Sequence, residues 1–326
     1  MEVLKAVCLL IIGFVLLIKG ADFFVDGASS VAKKLKVPSL IIGMTIVAMG
    51  TSLPELSVSV TAGLSGKNAL AISNVIGSNI FNLMVVLGAA ALIAPLNVEK
   101  TVLKKDYPFS VICAVLLLGL GFHRMELGRI DGAIFLVIFL GFLVEEVRSA
   151  LSARKKALAA DASAKEAGEA PKEEEIKEIS MPLSILFIVG GAVAVKFGGD
   201  FVVNGAVTIA TFFGLSENLI GLTIVALGTS LPELVTSVVA AKKGELEMAI
   251  GNVVGSNVFN ILMILGVASV LSPIPFIMEN VIDIAVLLGF SLLTWLFCIT
   301  RKKIDKAEGG IMLLCYIAYL VYICMR

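Results

Sequence analysis

The chain has 326 residues, of which 58% are hydrophobic and only 16% charged, with 26 basic and 26 acidic side chains. Soluble domains carry about 25% charged residues, so a water-soluble fold of this size could not hide so much apolar surface. The zero net charge and the single histidine, His123, support neither nucleic-acid binding nor a histidine metal centre, and the five cysteines lack any C-x-x-C spacing and read as small apolar residues.

Apolar runs and their breaks predict an all-α polytopic membrane protein with ten spans, near 6–29, 39–64, 69–94, 107–122, 130–147, 182–211, 217–241, 247–271, 280–299 and 309–324. The first span lacks a basic leader and a small-residue cleavage site, so it reads as a retained helix rather than a signal peptide. The second would be about 39 Å long if straight, more than the roughly 30 Å of the hydrocarbon core, and Pro54 inside it predicts a bend. Between the fifth and sixth spans, residues 149–180 are rich in Ala, Glu and Lys and predict a polar linker with marginal helix. The expected organisation is a first five-helix unit over 1–148, this linker, and a second five-helix unit over 181–326.

Loops after the odd-numbered spans hold 19 of the 26 basic residues, including Lys33, Lys34, Lys36, Lys100, Lys104, Lys105, Lys242 and Lys243. Cytoplasmic loops are enriched in Lys and Arg, so both termini are expected outside a cell membrane and the linker inside.

One offset of 178 residues carries Thr45–Glu55 onto Thr223–Glu233, with Met49 replaced by Leu227, and Asn74–Asn82 onto Asn252–Asn260. It also carries Asp22 onto Asp200, Gly27 onto Gly205 and Pro95 onto Pro273. Two homologous halves of five spans each must lie inverted in the membrane, and inverted repeats place an ion site at the midplane, where helices are interrupted. Pro54 and Pro232 supply the interruptions, freeing carbonyls one turn earlier at Gly50 and Gly228.

Glu55 and Glu233 fall near the middle of their spans, where an acidic side chain costs at least about 2.5–3.5 kcal/mol and marks function. Thr51, Ser52, Thr229 and Ser230 lie one turn before them. Ser78 with Asn82, and Ser256 with Asn260, fall one turn apart on single helix faces and add side-chain oxygens. The mid-span bases Lys19 and Lys196 have nearer acidic neighbours in Asp22 and Asp200. An oxygen-only donor set suits a hard cation such as Ca²⁺, which takes about 6–8 oxygens, and no sulfur or imidazole stands nearby for Zn²⁺ or Cu²⁺.

The paired Gly-Thr-Ser-Leu-Pro-Glu segments at 50–55 and 228–233, each followed by Gly-Ser-Asn-[Ile/Val]-Phe-Asn, resemble the α-repeats of the sodium/calcium exchanger family, in the calcium/cation antiporter group. The likeness covers both halves and is to the prokaryotic type, since a linker of this length has no room for a calcium-sensing domain. It implies electrogenic exchange of Na⁺ for Ca²⁺, three for one, by alternating access. It also implies Glu55 and Glu233 as bridging carboxylates, and ligation by Thr51, Ser52, Ser78, Asn82, Thr229, Ser230, Ser256 and Asn260 with the carbonyls of Ala48 and Ala226. Potassium-dependent relatives carry Asp at the position of Asn260, so potassium independence is expected. No cofactor and no obligatory protein partner beyond the lipid bilayer is expected, and the chain is expected to work as a monomer and not as an enzyme. Spans one and six, with Gly27, Gly198, Gly199 and Gly205, are expected to slide over the remaining bundle. The alternatives are calcium/proton antiport, a passive channel, and an intramembrane enzyme using the two glutamates as acid and base.

Overall fold

The computed structural model describes residues 2–65, 68–166, 179–214 and 226–325. Its long helices are α1 (Glu2–Leu35), α2 (Ser39–Thr51), α3 (Leu53–Leu64), α4 (Ala69–Ile93), α5 (Val102–Arg124), α6 (Arg129–Glu166), α7 (Met181–Phe212), α9 (Leu231–Lys242), α10 (Leu246–Leu271), α11 (Met278–Arg301) and α12 (Lys306–Met325), with the single turn α8 at Ala226–Gly228. Seven of the described helices are long and apolar enough to cross a membrane, and the bent pair α2 and α3 makes an eighth. The predicted fifth span lies within α6, whose apolar run is bracketed by Asp131 and by Glu145 and Glu146. The first part of the predicted seventh span, 215–225, lies outside the described residues.

One feature of the sequence reading needs correction. Residues 149–166 are not a marginal helix in a linker but the continuation of α6, a 38-residue helix about 57 Å long at 1.5 Å per residue. Lys36, just after α1, pairs with Asp161, and Lys105 of α5 donates to Ser149 Oγ at 3.1 Å, so both ends of the extension are held. The rest of the linker, 167–178, lies outside the described residues. Among the cysteines only Cys113 and Cys298 are buried; Cys8 and Cys324 are exposed. His123 is exposed at the end of α5, as its position at a helix terminus suggests.

Burial separates the helices into layers. In α4 and α10, 72% and 83% of the most apolar window is buried, against 17–33% in the other candidate spans, so these two helices form the centre. Apolar side chains such as Ile11, Val15, Val137, Leu140, Leu186 and Leu314 project from the outer helices, as lipid contact requires. Two short antiparallel pairs clamp the ends: Leu96–Asn97 with Lys303–Ile304, and Glu126–Leu127 with Ile274–Pro275.

α1 and α7 lie antiparallel against each other along most of their length. Their glycines meet backbone at seven-residue intervals: Gly13 faces Gly198, Gly20 faces Gly191, and Gly27 faces Ser184. A Cβ at Gly20 would stand 2.8 Å from Val195 N, so glycine there allows the helices to touch backbone to backbone.

Candidate ion-binding site

α2 ends and α3 begins at Ser52 with a 47° bend. Ser52 (φ −84°, ψ 11°) and its counterpart Ser230 (φ −93°, ψ 6°) depart from α-helical angles, and Pro54 and Pro232 stand in the first turns of α3 and α9. A proline cannot donate to the carbonyl four residues back but is accommodated at a helix start, so each span breaks into two helices where the sequence places its proline. The break puts Glu55 and Glu233 in first turns, where free N–H groups and the helix dipole favour negative charge. Gly50 and Gly228, just before the breaks, carry no side chain because Phe24 of α1 and Val203 of α7 are seated against them.

The two carboxylates, fully buried, are held reciprocally across the halves. Ser52 donates to Glu233 Oε1 at 2.7 Å, and Ser230 donates to Glu55 Oε1 at 3.0 Å. Ser78 adds a donor to Glu55 Oε1 at 3.4 Å, and Ser230 also lies 3.0 Å from the Ser78 hydroxyl. One oxygen of each carboxylate is thereby engaged, while Glu55 Oε2 and Glu233 Oε2 have no hydrogen-bond partner.

α4 and α10 supply the other side of the cage, and each changes from α-helical to π-helical pitch at the site, over Asn82–Val86 and Phe259–Ile264. Such wide turns occur often at functional sites. Asn82 Nδ2 donates to Asn257 Oδ1 at 3.3 Å, and Asn260 Nδ2 donates to Asn79 Oδ1 at 3.0 Å. With both amide nitrogens engaged, Asn82 Oδ1 and Asn260 Oδ1 are left buried and unpartnered. A buried oxygen without a donor costs about 1–3 kcal/mol, so four in matched positions of two halves are a feature that a cation would satisfy.

The other expected ligands divide. Thr51 is fully buried and donates to Asn252 Oδ1 at 3.1 Å, whereas Thr229 is half-buried and donates to Asn74 Oδ1 at 3.4 Å. The Ala48 carbonyl accepts from Ser52 N at 3.1 Å, from the Thr51 hydroxyl at 3.3 Å and from the Ser256 hydroxyl at 3.5 Å. Ala226 opens α8 at the edge of the described residues. Among the described residues no three His, Cys, Asp or Glu side chains gather as in a soft-metal centre.

Four asparagines that the sequence reading did not single out prove to be the supports. Asn74 reaches Ser59 at 3.1 Å and Glu55 O at 3.4 Å, and Asn252 reaches Ser237 at 2.9 Å and Glu233 O at 3.5 Å. Asn79 and Asn257 each donate to the other's backbone carbonyl, at 3.2 and 3.4 Å, tying α4 to α10. The signal that could have found them was present, because all four recur at the repeat offset of 178.

Comparison with known proteins agrees with this geometry. The family described as sodium/calcium exchanger protein matches residues 5–145 and 183–325. The chain is 39% identical to the putative antiporter CaxA of Alkalimonas amylolytica, over 97% of this chain and 98% of that one. It is 33% identical to the sodium/calcium exchanger MaX1 of Methanosarcina acetivorans, over 96% and 97% of the two chains. The solved structure of the sodium-calcium exchanger NCX_Mj is similar with a TM-score of 0.83 at 32% identity, over 98% of each chain. With both halves matched and a cage of buried oxygens where they meet, the chain belongs to the sodium/calcium exchanger family of antiporters.

Proposed function

We propose that the chain exchanges Na⁺ for Ca²⁺ at one cluster of sites between two inverted five-helix repeats. Four unpartnered buried oxygens, Glu55 Oε2, Glu233 Oε2, Asn82 Oδ1 and Asn260 Oδ1, carry this reading. Thr51, Ser52, Ser78, Thr229, Ser230 and Ser256 complete or orient the cage, with the carbonyls of Ala48 and Ala226 at its edge. Two carboxylates give a charge of minus two, which one Ca²⁺ neutralises and several Na⁺ can replace, so competition for one cage couples the fluxes.

Ten spans, with both termini outside and the 149–180 segment inside, fit the pairing of the loops. Leu96–Asn97 and Lys303–Ile304 join two loops assigned to the inside, while Glu126–Leu127 and Ile274–Pro275 join two assigned to the outside. Alternating access follows if α1 and α7 move as one body. On the inner side Lys243, at the end of α9, binds Asp26 at 2.8 Å and Asp22 at 3.5 Å on α1, and Ser29 of α1 donates to Glu245. These contacts join α1 to the inner end of α9, while a cavity of about 160 Å³ lined by α7 and by Pro54, Thr229 and Pro232 at the helix breaks reaches the wall of the cage. The cavity beside Lys196 and Thr229 supports a path to the cage from the outer side.

Exchange of three Na⁺ for one Ca²⁺ moves one net charge, which membrane voltage drives with about 2.3 kcal/mol per 100 mV. Radioactive Ca²⁺ uptake into vesicles under separately imposed gradients tests the reading. Uptake is expected to follow an outward Na⁺ gradient, to rise with inside-positive potential, and to be indifferent to K⁺ because Asn82 and Asn260 leave two carboxylates rather than three. Uptake driven only by a proton gradient would replace Na⁺ as the coupling ion. An absolute need for K⁺ would overturn potassium independence.

A further inference from the structure

The outer cavity is lined among the described residues by two charged side chains, Lys196 and Asp200, together with Pro54, Asn204, Thr229 and Pro232. Thr229 adjoins Ser230, whose hydroxyl holds Glu55, so the cavity ends at the wall of the cage. A cation arriving from this side passes the Lys196 ammonium. That ammonium lies 2.6 Å from Asp200 Oδ2 and 4.7 Å from the centre of the Phe197 ring, and both charged side chains are more than a third exposed. An ionisable side chain this deep in a span is costly, and where it lines a water-filled cavity on an ion path it acts on the ions that pass.

The two halves differ here in a way that folding of the repeat does not require. Asp200 matches Asp22, but Lys196 falls opposite Ile18, and Asn204 falls opposite Asp26. In the first half Asp22 is approached by Lys19 of its own helix at 3.7 Å, and Asp22 and Asp26 are both engaged by Lys243, which reaches over from the end of α9. On α7 the ammonium that lines the cavity is Lys196, and the ion pair that holds it is with Asp200.

We propose that Lys196 is a specificity-determining residue of the outer ion path, whose charge, trimmed by Asp200, weakens the outward-facing site's hold on Ca²⁺ more than its hold on Na⁺. A fixed charge acts on an ion in proportion to the ion's own charge, so any change in the pair shifts the logarithm of Ca²⁺ affinity twice as far as that of each Na⁺. The chemistry is that of a tethered monovalent cation in a path for monovalent and divalent cations. Its effect is to ease Ca²⁺ release outward and to oppose its return. The inference rests on the exchange reading above.

The test uses the full chain in proteoliposomes of defined orientation, with outer-face and inner-face apparent affinities for Ca²⁺ and Na⁺ measured separately. Asp200→Asn, which bares the ammonium, is expected to weaken outer Ca²⁺ affinity about tenfold and Na⁺ affinity about threefold, the ratio set by charge alone. Lys196→Gln should shift both in the opposite direction with the same two-to-one relation. The double variant Lys196→Gln with Asp200→Asn, which removes the ammonium together with the carboxylate that trims it, should fall between the wild type and Lys196→Gln, with Ca²⁺ still held more tightly than in the wild type, and inner-face affinities should stay unchanged throughout. High salt should shrink every shift. Equal shifts for the two ions, an unchanged outer face, or a double variant that binds Ca²⁺ no more tightly than the wild type would overturn the proposal while leaving exchange itself intact. Lys196→Arg keeps the charge and is expected to keep both affinities; loss of affinity there would mark a packing role and overturn it as well. A wild-type chain without Na⁺-coupled Ca²⁺ flux would overturn both this proposal and the exchange reading.

Discussion

Replacing either central carboxylate by its amide, Glu55→Gln or Glu233→Gln, is expected to lower Na⁺-driven Ca²⁺ uptake by about two orders of magnitude or more while leaving the protein folded. The substitution is nearly isosteric, and the anchoring bonds survive it: Gln Oε1 can still accept from Ser230 or from Ser52, as Glu55 Oε1 and Glu233 Oε1 do. What changes is charge. A cage of minus one leaves half of a Ca²⁺ ion's charge unneutralised in a buried site, and breaking a buried charge pair typically costs about 3–5 kcal/mol, where each 1.4 kcal/mol is tenfold in affinity. Uptake in vesicles and thermal unfolding of the purified variants check the two halves of the statement. Wild-type uptake in either variant would remove that glutamate from the site.

Locking α1 to the end of α9 is expected to abolish transport and spare ion binding. Ser29 on α1 and Glu245 beside α10 touch each other through a hydrogen bond, so cysteines at these two positions lie within reach of a short bifunctional crosslinker. The five native cysteines are first replaced, since exposed Cys8 and Cys324 would otherwise react. If α1 and α7 must move over the bundle for the cage to open inward, the crosslinked chain should show flux at least about twentyfold below the uncrosslinked control. It should still bind Ca²⁺ from the outer side, because the residues of the cage are untouched. Reduction of a cleavable crosslinker should restore flux. Full flux in the locked chain would show that the α1–α7 pair stays still during transport. The close contact of Gly13 with Gly198 and of Gly20 with Gly191 makes the pair a single body, so the crosslink restrains both helices.

Much of this arrangement was legible in the sequence because the constraints are local or periodic. Pro54 and Pro232 dictate where the spans break, since a missing N–H and a ring clash act on the residue's own helix, and the observed break falls at Ser52 and Ser230, two residues earlier. The depth of Glu55 and Glu233 follows from the lengths of apolar sequence around them. The duplicated offset revealed which residues of the first half have partners in the second.

What was not legible depends on contacts between distant positions and on atom-level orientation. In the sequence, Asn82 and Asn260 each offer an oxygen and two N–H groups with nothing to decide which faces the cage. The decision is made by Asn257 and Asn79, which occupy the amide nitrogens from the other central helix. The supporting asparagines Asn74 and Asn252 looked like any small polar residues at a helix interface, and their role comes from bonds to Glu55 O and Glu233 O and, across the halves, to Thr229 and Thr51. The extension of α6 through Glu166 escaped notice for a different reason. An Ala-, Glu- and Lys-rich segment is marginal as an isolated helix, but one that continues a folded span needs no nucleation and gains pairs such as Lys36 with Asp161. The ion pairs of Lys243 with Asp22 and Asp26 join residues more than two hundred positions apart, beyond the reach of any local pattern.

The central claim is that Ca²⁺ and Na⁺ compete for one cage closed by Glu55, Glu233, Asn82 and Asn260. Equilibrium binding of radioactive Ca²⁺ to the purified chain, titrated with Na⁺ at constant ionic strength, addresses it directly. One Ca²⁺ per chain, displaced completely and cooperatively by Na⁺ and lost in Glu55→Gln, is the result this account predicts. Ca²⁺ that stays bound at saturating Na⁺, or displacement that survives removal of both carboxylates, would contradict it.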